Sequence, residues 1–223
     1  MESAHYCAHM AILNPEISMK FTLIGLALAA ASLSSAQVFV NTFSSGDTYN
    51  TGIGATISGS SSAVGSEFVQ GFQFTSANTG SIGQMVIAMG HIVGTPQVTM
   101  RLYADNSNTL GSQVGSDYTT TVNSGSFGVG TEVITRDVSG AGWTVTAGQN
   151  YWLMAQSAND AWLAWNWSTD GGTYTRASIN NGGAPNYFND TGLAVRLEAV
   201  PEPASMIALG AGLLAVARRR RRA

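Results

Sequence analysis

The chain has 223 residues, with 13 acidic and 10 basic side chains and a formal net charge of −3, so it carries no basic excess of the kind that binds nucleic acid. Its single cysteine cannot close an intrachain disulfide or supply a multi-cysteine metal cluster.

Met1 to Ser18 holds that cysteine, Cys7, and two of the three histidines, with no hydrophobic periodicity. From Met19 the pattern changes. Lys20 is a positive n-region, Phe21 to Ala31 an apolar h-region, and Ser34-Ser35-Ala36 supplies the small side chains a signal peptidase cleaves after. The reading is an N-terminal signal peptide over 19–36, preceded by a mis-assigned extension over 1–18, with a mature chain starting near Gln37.

Between Gln37 and Val200 there is no lysine and no cysteine. Ten carboxylates face four arginines, a net charge of −6. The length suits one domain with a real core. Predicted strands follow one another: Val38–Phe43, then a Gly/Ser/Thr-rich stretch to Ser66 read as loop with at most one weak strand, then Glu67–Phe74. Ile82–Ile92 is a nearly continuous apolar run suited to a buried strand. Val98, Met100 and Leu102 alternate with Thr99, Arg101 and Tyr103, the period-2 pattern of a half-buried strand. Further strands are predicted over Asp117–Val122, Glu132–Asp137, Tyr151–Gln156, Ala161–Ser168, Tyr174–Ile179 and Leu193–Glu198. Turn signals recur roughly every 10–12 residues, the spacing of a sandwich or barrel. The expected fold class is all-β: an antiparallel, jelly-roll-like β-sandwich over 37–199, flanked by the signal peptide and a C-terminal transmembrane helix.

Catalytic constellations are absent from this segment. His91 is its only histidine and lies in the most apolar strand, so no Cys/His nucleophile pair and no His/Cys zinc site can be assembled. There is no G-x-S-x-G elbow. Asp160 and Asp170 are candidates for the carboxylate pair of a glycoside hydrolase, although sequence spacing says nothing of their separation in space. The expectation is a protein that is not an enzyme, with no cofactor and no metal. One reservation is a structural calcium ion at the oxygen-rich turn Asp105-Asn106-Ser107-Asn108, which reads more simply as an Asx-type turn.

Trp162, Trp165 and Trp167 fall in one predicted strand. Alternation places Leu163, Trp165 and Trp167 on one face and Trp162, Ala164 and Asn166 on the other. An exposed set would offer sugar rings a stacking platform; a buried set would fill the sandwich core, and the core reading is preferred.

The last segment, 200–223, has three parts. Pro201-Glu202-Pro203 can neither continue a strand nor enter a helix interior. Ala204–Ala217 is uncharged, and as a helix of about 1.5 Å per residue it reaches roughly 21 Å, short of the ~30 Å hydrocarbon core. Arg218, Arg219, Arg220, Arg221 and Arg222 then hold that end in the cytoplasm by the positive-inside rule.

Tripeptide, short apolar helix and arginine cluster in this order resemble the PEP-CTERM sorting signal of Gram-negative-type bacteria. The resemblance implies an exosortase-like processing enzyme that recognises Pro201, Glu202 and Pro203, and transient residence in the inner membrane. It also implies delivery to the cell surface or extracellular matrix. Val98–Asp105 with Gly111, Val145–Leu153 and Trp165 resemble the recurrent elements of choice-of-anchor ectodomains, β-sandwiches with no assigned activity. The expected function is therefore a non-enzymatic exported surface or matrix protein. A carbohydrate-binding module for exopolysaccharide is the alternative, and a carboxylate-dependent glycoside hydrolase a more distant one.

Overall fold

Short apolar runs with alternating neighbours, interrupted by glycine, asparagine and serine, cannot bury one face as helices but can as strands. The structure, a computed structural model, describes residues 37–125 and 133–199. The extension 1–18, the signal peptide 19–36, Pro201-Glu202-Pro203, the apolar stretch 204–217 and the arginines 218–222 lie outside the described residues.

The strands are β1 (Val38–Asn41), β2 (Tyr49–Ser58), β3 (Phe68–Thr75), β4 (Gly80–Ser81), β5 (Gln84–Val93), β6 (Gln97–Asp105), β7 (Leu110–Thr121), β8 (Val133–Asp137), β9 (Thr144–Val145), β10 (Asn150–Ser157), β11 (Trp162–Ser168), β12 (Thr173–Asn180), β13 (Asn186–Thr191) and β14 (Val195–Glu198). Among the described residues the one helical turn is a 3-10 turn at Ser139–Ala141.

All pairings are antiparallel. A continuous hydrogen-bonded path, β1-β14-β5-β11-β2-β3-β10-β6-β7, doubles back where β2 meets β3, and there pairing shrinks to Ser58 opposite Phe68. The result is two layers. The front layer is β1-β14-β5-β11-β2, with β8 on the other flank of the first half of β5; the back layer is β13-β12-β3-β10-β6-β7. Between them sits a shared core of Ile57, Phe72, Met85, Met89, Met100, Leu102, Leu153, Leu163, Trp165 and Leu197. Phe72 of the back layer meets Trp165 of the front layer edge-on, ring centroids 6.0 Å apart. This is the all-β sandwich the sequence predicts.

The nearly continuous apolar run of β5 is explained by burial on both faces: Met85, Ile87 and Met89 join the main core, while Val86 and Ala88 join a second cluster with Phe43 and Ala194. Two differences from the sequence reading are instructive. β2, expected as loop with a weak strand, is a ten-residue strand between β11 and β3. Its glycines hid it, yet Gly54 is required: a Cβ there would lie 2.3 Å from the Trp165 carbonyl oxygen. β13 was not anticipated, because Asn186–Thr191 is mostly polar and stands at the edge of the back layer.

Candidate functional site

The tryptophan strand does not present one surface. Trp165 is 0% exposed, packs on Phe72 and donates its Nε1–H to the Ala194 carbonyl at 3.1 Å. Trp167 is half-buried against the same core, whereas Trp162 starts the strand on the opposite face and is also half-buried. The indole N–H groups of Trp162 and Trp167 are buried with no partner among the described residues. Opposite faces and deep burial of the central ring leave these three without a common stacking plane.

Asp160 and Asp170 flank β11 at opposite ends. Seven extended residues at about 3.3 Å each hold them roughly 20 Å apart, far beyond the ~5–9.5 Å of a glycosidase pair. Each carboxylate is engaged locally, Asp160 by the N–H and hydroxyl of Thr95, Asp170 by Tyr174 and the Gly172 N–H. His91 donates its Nε2–H to the Gly94 carbonyl at 2.8 Å, a turn contact.

A ligand-sized depression lies elsewhere, on the outer face of the back layer. Along β10, Leu153 and Ala155 point into the core, so Trp152, Met154 and Gln156 point out; along β6, Met100 and Leu102 point in, so Arg101 and Tyr103 point out. Register sets Trp152 beside Tyr103 and Met154 between Gly71 and Arg101. Gly71 leaves room for that methionine, since a Cβ there would sit 2.3 Å from the Met154 sulfur.

This face is concave. β7 and β13 are opposite edges of the layer, which in a flat six-stranded sheet would stand about 24 Å apart. Here the Leu110 N–H at the start of β7 donates to the Tyr187 hydroxyl of β13 at 2.8 Å, and the Tyr187 ring lies 5.2 Å from that of Trp152. The curl covers Trp152 completely and leaves an open cleft of about 300 Å³ beside it, floored by Val69 and Met154 and walled by Tyr103, Leu110 and Ile179.

One end of the cleft is polar. Arg101 reaches Asp117 with both Nε and Nη2 at 2.9 Å, and its Nη1 donates to Gln156 Oε1 at 2.7 Å. Gln156 Nε2 in turn donates to Glu67 Oε1 at 2.8 Å. The Arg101 hydrogen bond holds the Asp117 carboxyl below the ordinary carboxylate range. Glu67 is clamped through its backbone: its N–H donates to Asn181 Oδ1 at 2.8 Å, and the Asn181 N–H returns to its carbonyl at 3.1 Å. That pair docks the left-handed turn Asn181–Gly182 as the remaining wall.

The turn proposed for calcium is held by N–H donors. Asp105 Oδ1 accepts from Gln73 at 2.7 Å and Trp152 at 2.9 Å, and Oδ2 accepts from the Asn108 N–H at 3.1 Å. Burial raises the Asp105 pKa, but the Asn108, Trp152 and Gln73 bonds outweigh it and leave it lowered. Among the described residues no group of three or more His, Cys, Asp and Glu is placed to share a metal ion.

Sequence reasoning did not single out the cleft. A signal was present in the polar half of the β6 alternation, Arg101 and Tyr103, but the partners Gln156, Glu67 and Tyr187 are brought there only by strand pairing.

By fold the described chain is an antiparallel β-sandwich with a cleft on one outer face. Residues 199–222 match the family described as the PEP-CTERM protein-sorting motif. This agrees with the resemblance read from Pro201, Glu202, Pro203 and Arg218 to Arg222, and it supports an exported protein processed by an exosortase. No curated protein and no solved structure matched the chain. Among the described residues no helix is long and apolar enough to cross a membrane.

Proposed function

We propose that the chain is a non-enzymatic exported protein whose sandwich is displayed at the cell surface or in the extracellular matrix, after exosortase processing at its C-terminal signal. The match of residues 199–222 to a sorting motif carries this reading. A signal peptidase cutting after Ala36 starts export, and the apolar stretch 204–217 holds the chain briefly in the inner membrane. Arg218 to Arg222 keep its end inside. The wide separation of Asp160 and Asp170, and the engagement of His91 with a backbone carbonyl, favour a role without catalysis.

The test is replacement of Pro201-Glu202-Pro203 by three alanines in the native host, with membrane and extracellular pools followed by immunoblot. Membrane insertion should persist while release is blocked, so full-length protein accumulates in the membrane fraction. Release of the variant as efficient as that of the parent would reduce the tripeptide to a linker and overturn the exosortase step.

A further inference from the structure

We infer that the cleft on the outer face of the back layer binds a neutral saccharide, seated between the Tyr103–Leu110 wall and the polar chain Arg101–Gln156–Glu67. This goes beyond the export reading and does not depend on it.

The chemistry is set by what the two sides of the cleft offer. A pyranose ring has a C–H face that packs on apolar and aromatic surface, and an edge of hydroxyls that each donate and accept a hydrogen bond. The cleft has the same division. Tyr103, Leu110 and Ile179 over a floor of Val69 and Met154 supply apolar surface, and the far end supplies the Arg101 guanidinium, the Gln156 amide and the Glu67 carboxylate in one connected row. At about 300 Å³ the cleft stands at the small end of ligand pockets, sized for a short saccharide segment.

Charge decides between saccharide classes. Of the two charged residues lining the cleft, Arg101 is already matched by Asp117 behind it, which leaves the Glu67 carboxylate as the unmatched charge. The domain as a whole carries −6 between Gln37 and Val200. An anionic sugar would approach like charge with no free cation to meet it, so a neutral ring is selected.

The site is also formed before any ligand arrives. Gln156 is bonded at both ends of its amide, Arg101 is held by two bonds to one carboxylate, and the Asn181 clamp fixes Glu67. Such side chains lose little further freedom on binding, which preserves affinity in a shallow site.

The experiment uses the full chain, purified in a detergent without a sugar headgroup, on an array of neutral and acidic oligosaccharides. The strongest neutral ligand is then titrated by calorimetry. Tyr103→Ala removes the wall and Gln156→Ala breaks the polar row, and each should weaken binding roughly tenfold or more, the scale of one lost anchoring contact. Trp162→Ala, on the other layer, should leave binding unchanged. Melting temperatures accompany every variant; if Tyr103→Ala melts early, Gln156→Ala alone decides. Retention of neutral glycans lost in the cleft variants supports the site. Three outcomes overturn it: no neutral glycan bound, a preference for acidic glycans, or binding indifferent to Gln156→Ala. Because export is not part of this measurement, a failure of sorting in cells and a failure of binding in solution are read separately.

Discussion

Strands β10 and β11 both carry tryptophan beside aliphatic residues, Trp152 in the first and Trp162, Trp165 and Trp167 in the second, and they do different things. β11 lies in the front layer and turns Leu163 and Trp165 inward, while Ala164 and Asn166 on its other face are also 0% exposed. It is a strand covered on both sides. β10 turns Leu153 inward, and on its other face Trp152 and Met154 are also covered, but the half-buried Gln156 near its end reaches a cleft that the curl leaves open. The difference comes from what stands over each strand. Both strands are covered on both faces, and room for a ligand remains only beside β10, where the curl over Gln156 and Tyr103 is incompletely filled.

The largest expected effect breaks the buried side of this comparison. Trp165→Ala should lower the free energy of unfolding by about 3–5 kcal/mol in a denaturant titration, as for other fully buried tryptophans. Tyr103→Ala, at a half-buried position beside the cleft, should cost less, under about 2 kcal/mol. Equal costs for the two would erase the distinction drawn between the layers.

The glycines come next. Gly54→Ala would put a Cβ 2.3 Å from the Trp165 carbonyl oxygen, and Gly71→Ala would put one 2.3 Å from the Leu153 carbonyl and the Met154 sulfur. Backbone cannot yield as a flexible side chain does, so each should cost about 1–3 kcal/mol or more. Gly140, with nothing within 4 Å of an added Cβ, is the control and should melt with the parent as alanine.

The smallest expected effect concerns pH. Asp105 has its pKa lowered below the ordinary value of 3.8 by bonds that outweigh its burial. A depressed native pKa stabilises the fold fully above the unfolded value, and the contribution is lost as pH falls through the native one. Unfolding midpoints should therefore drop as pH falls below about 4. Asp105→Asn should flatten that drop without abolishing it, because Asp117, Asp137 and Asp170 are shifted in the same direction. An unchanged slope would mean that the bonds from Trp152 and Gln73 do not favour the charged carboxylate.

Most strands were legible because alternation records a single buried face. Val98–Leu102, Tyr151–Gln156 and Tyr174–Ile179 fall inside β6, β10 and β12. β2 was obscured where close approach to β11 demands glycine, and β13 because Tyr187 and Phe188 are its only apolar residues among polar neighbours. The sorting motif over 199–222 was legible because it rests on residue type and order along one short stretch and needs no partner distant in the chain.

The cleft belongs to the other category. Sequence by itself determined the all-β class, the alternation that points Arg101 and Tyr103 away from the core, and the address at 199–222. Tertiary structure alone decided that Trp165 is core, that Asp160 and Asp170 never meet, and that Glu67, Gln156 and Tyr187 gather around Met154. The physical reason is that face is a local property with period two, whereas register and curl are set by pairing between strands far apart in the chain, as far as Val38 and Glu198. Only that pairing brings the two edges of the back layer together at Leu110 and Tyr187 and leaves space beneath them.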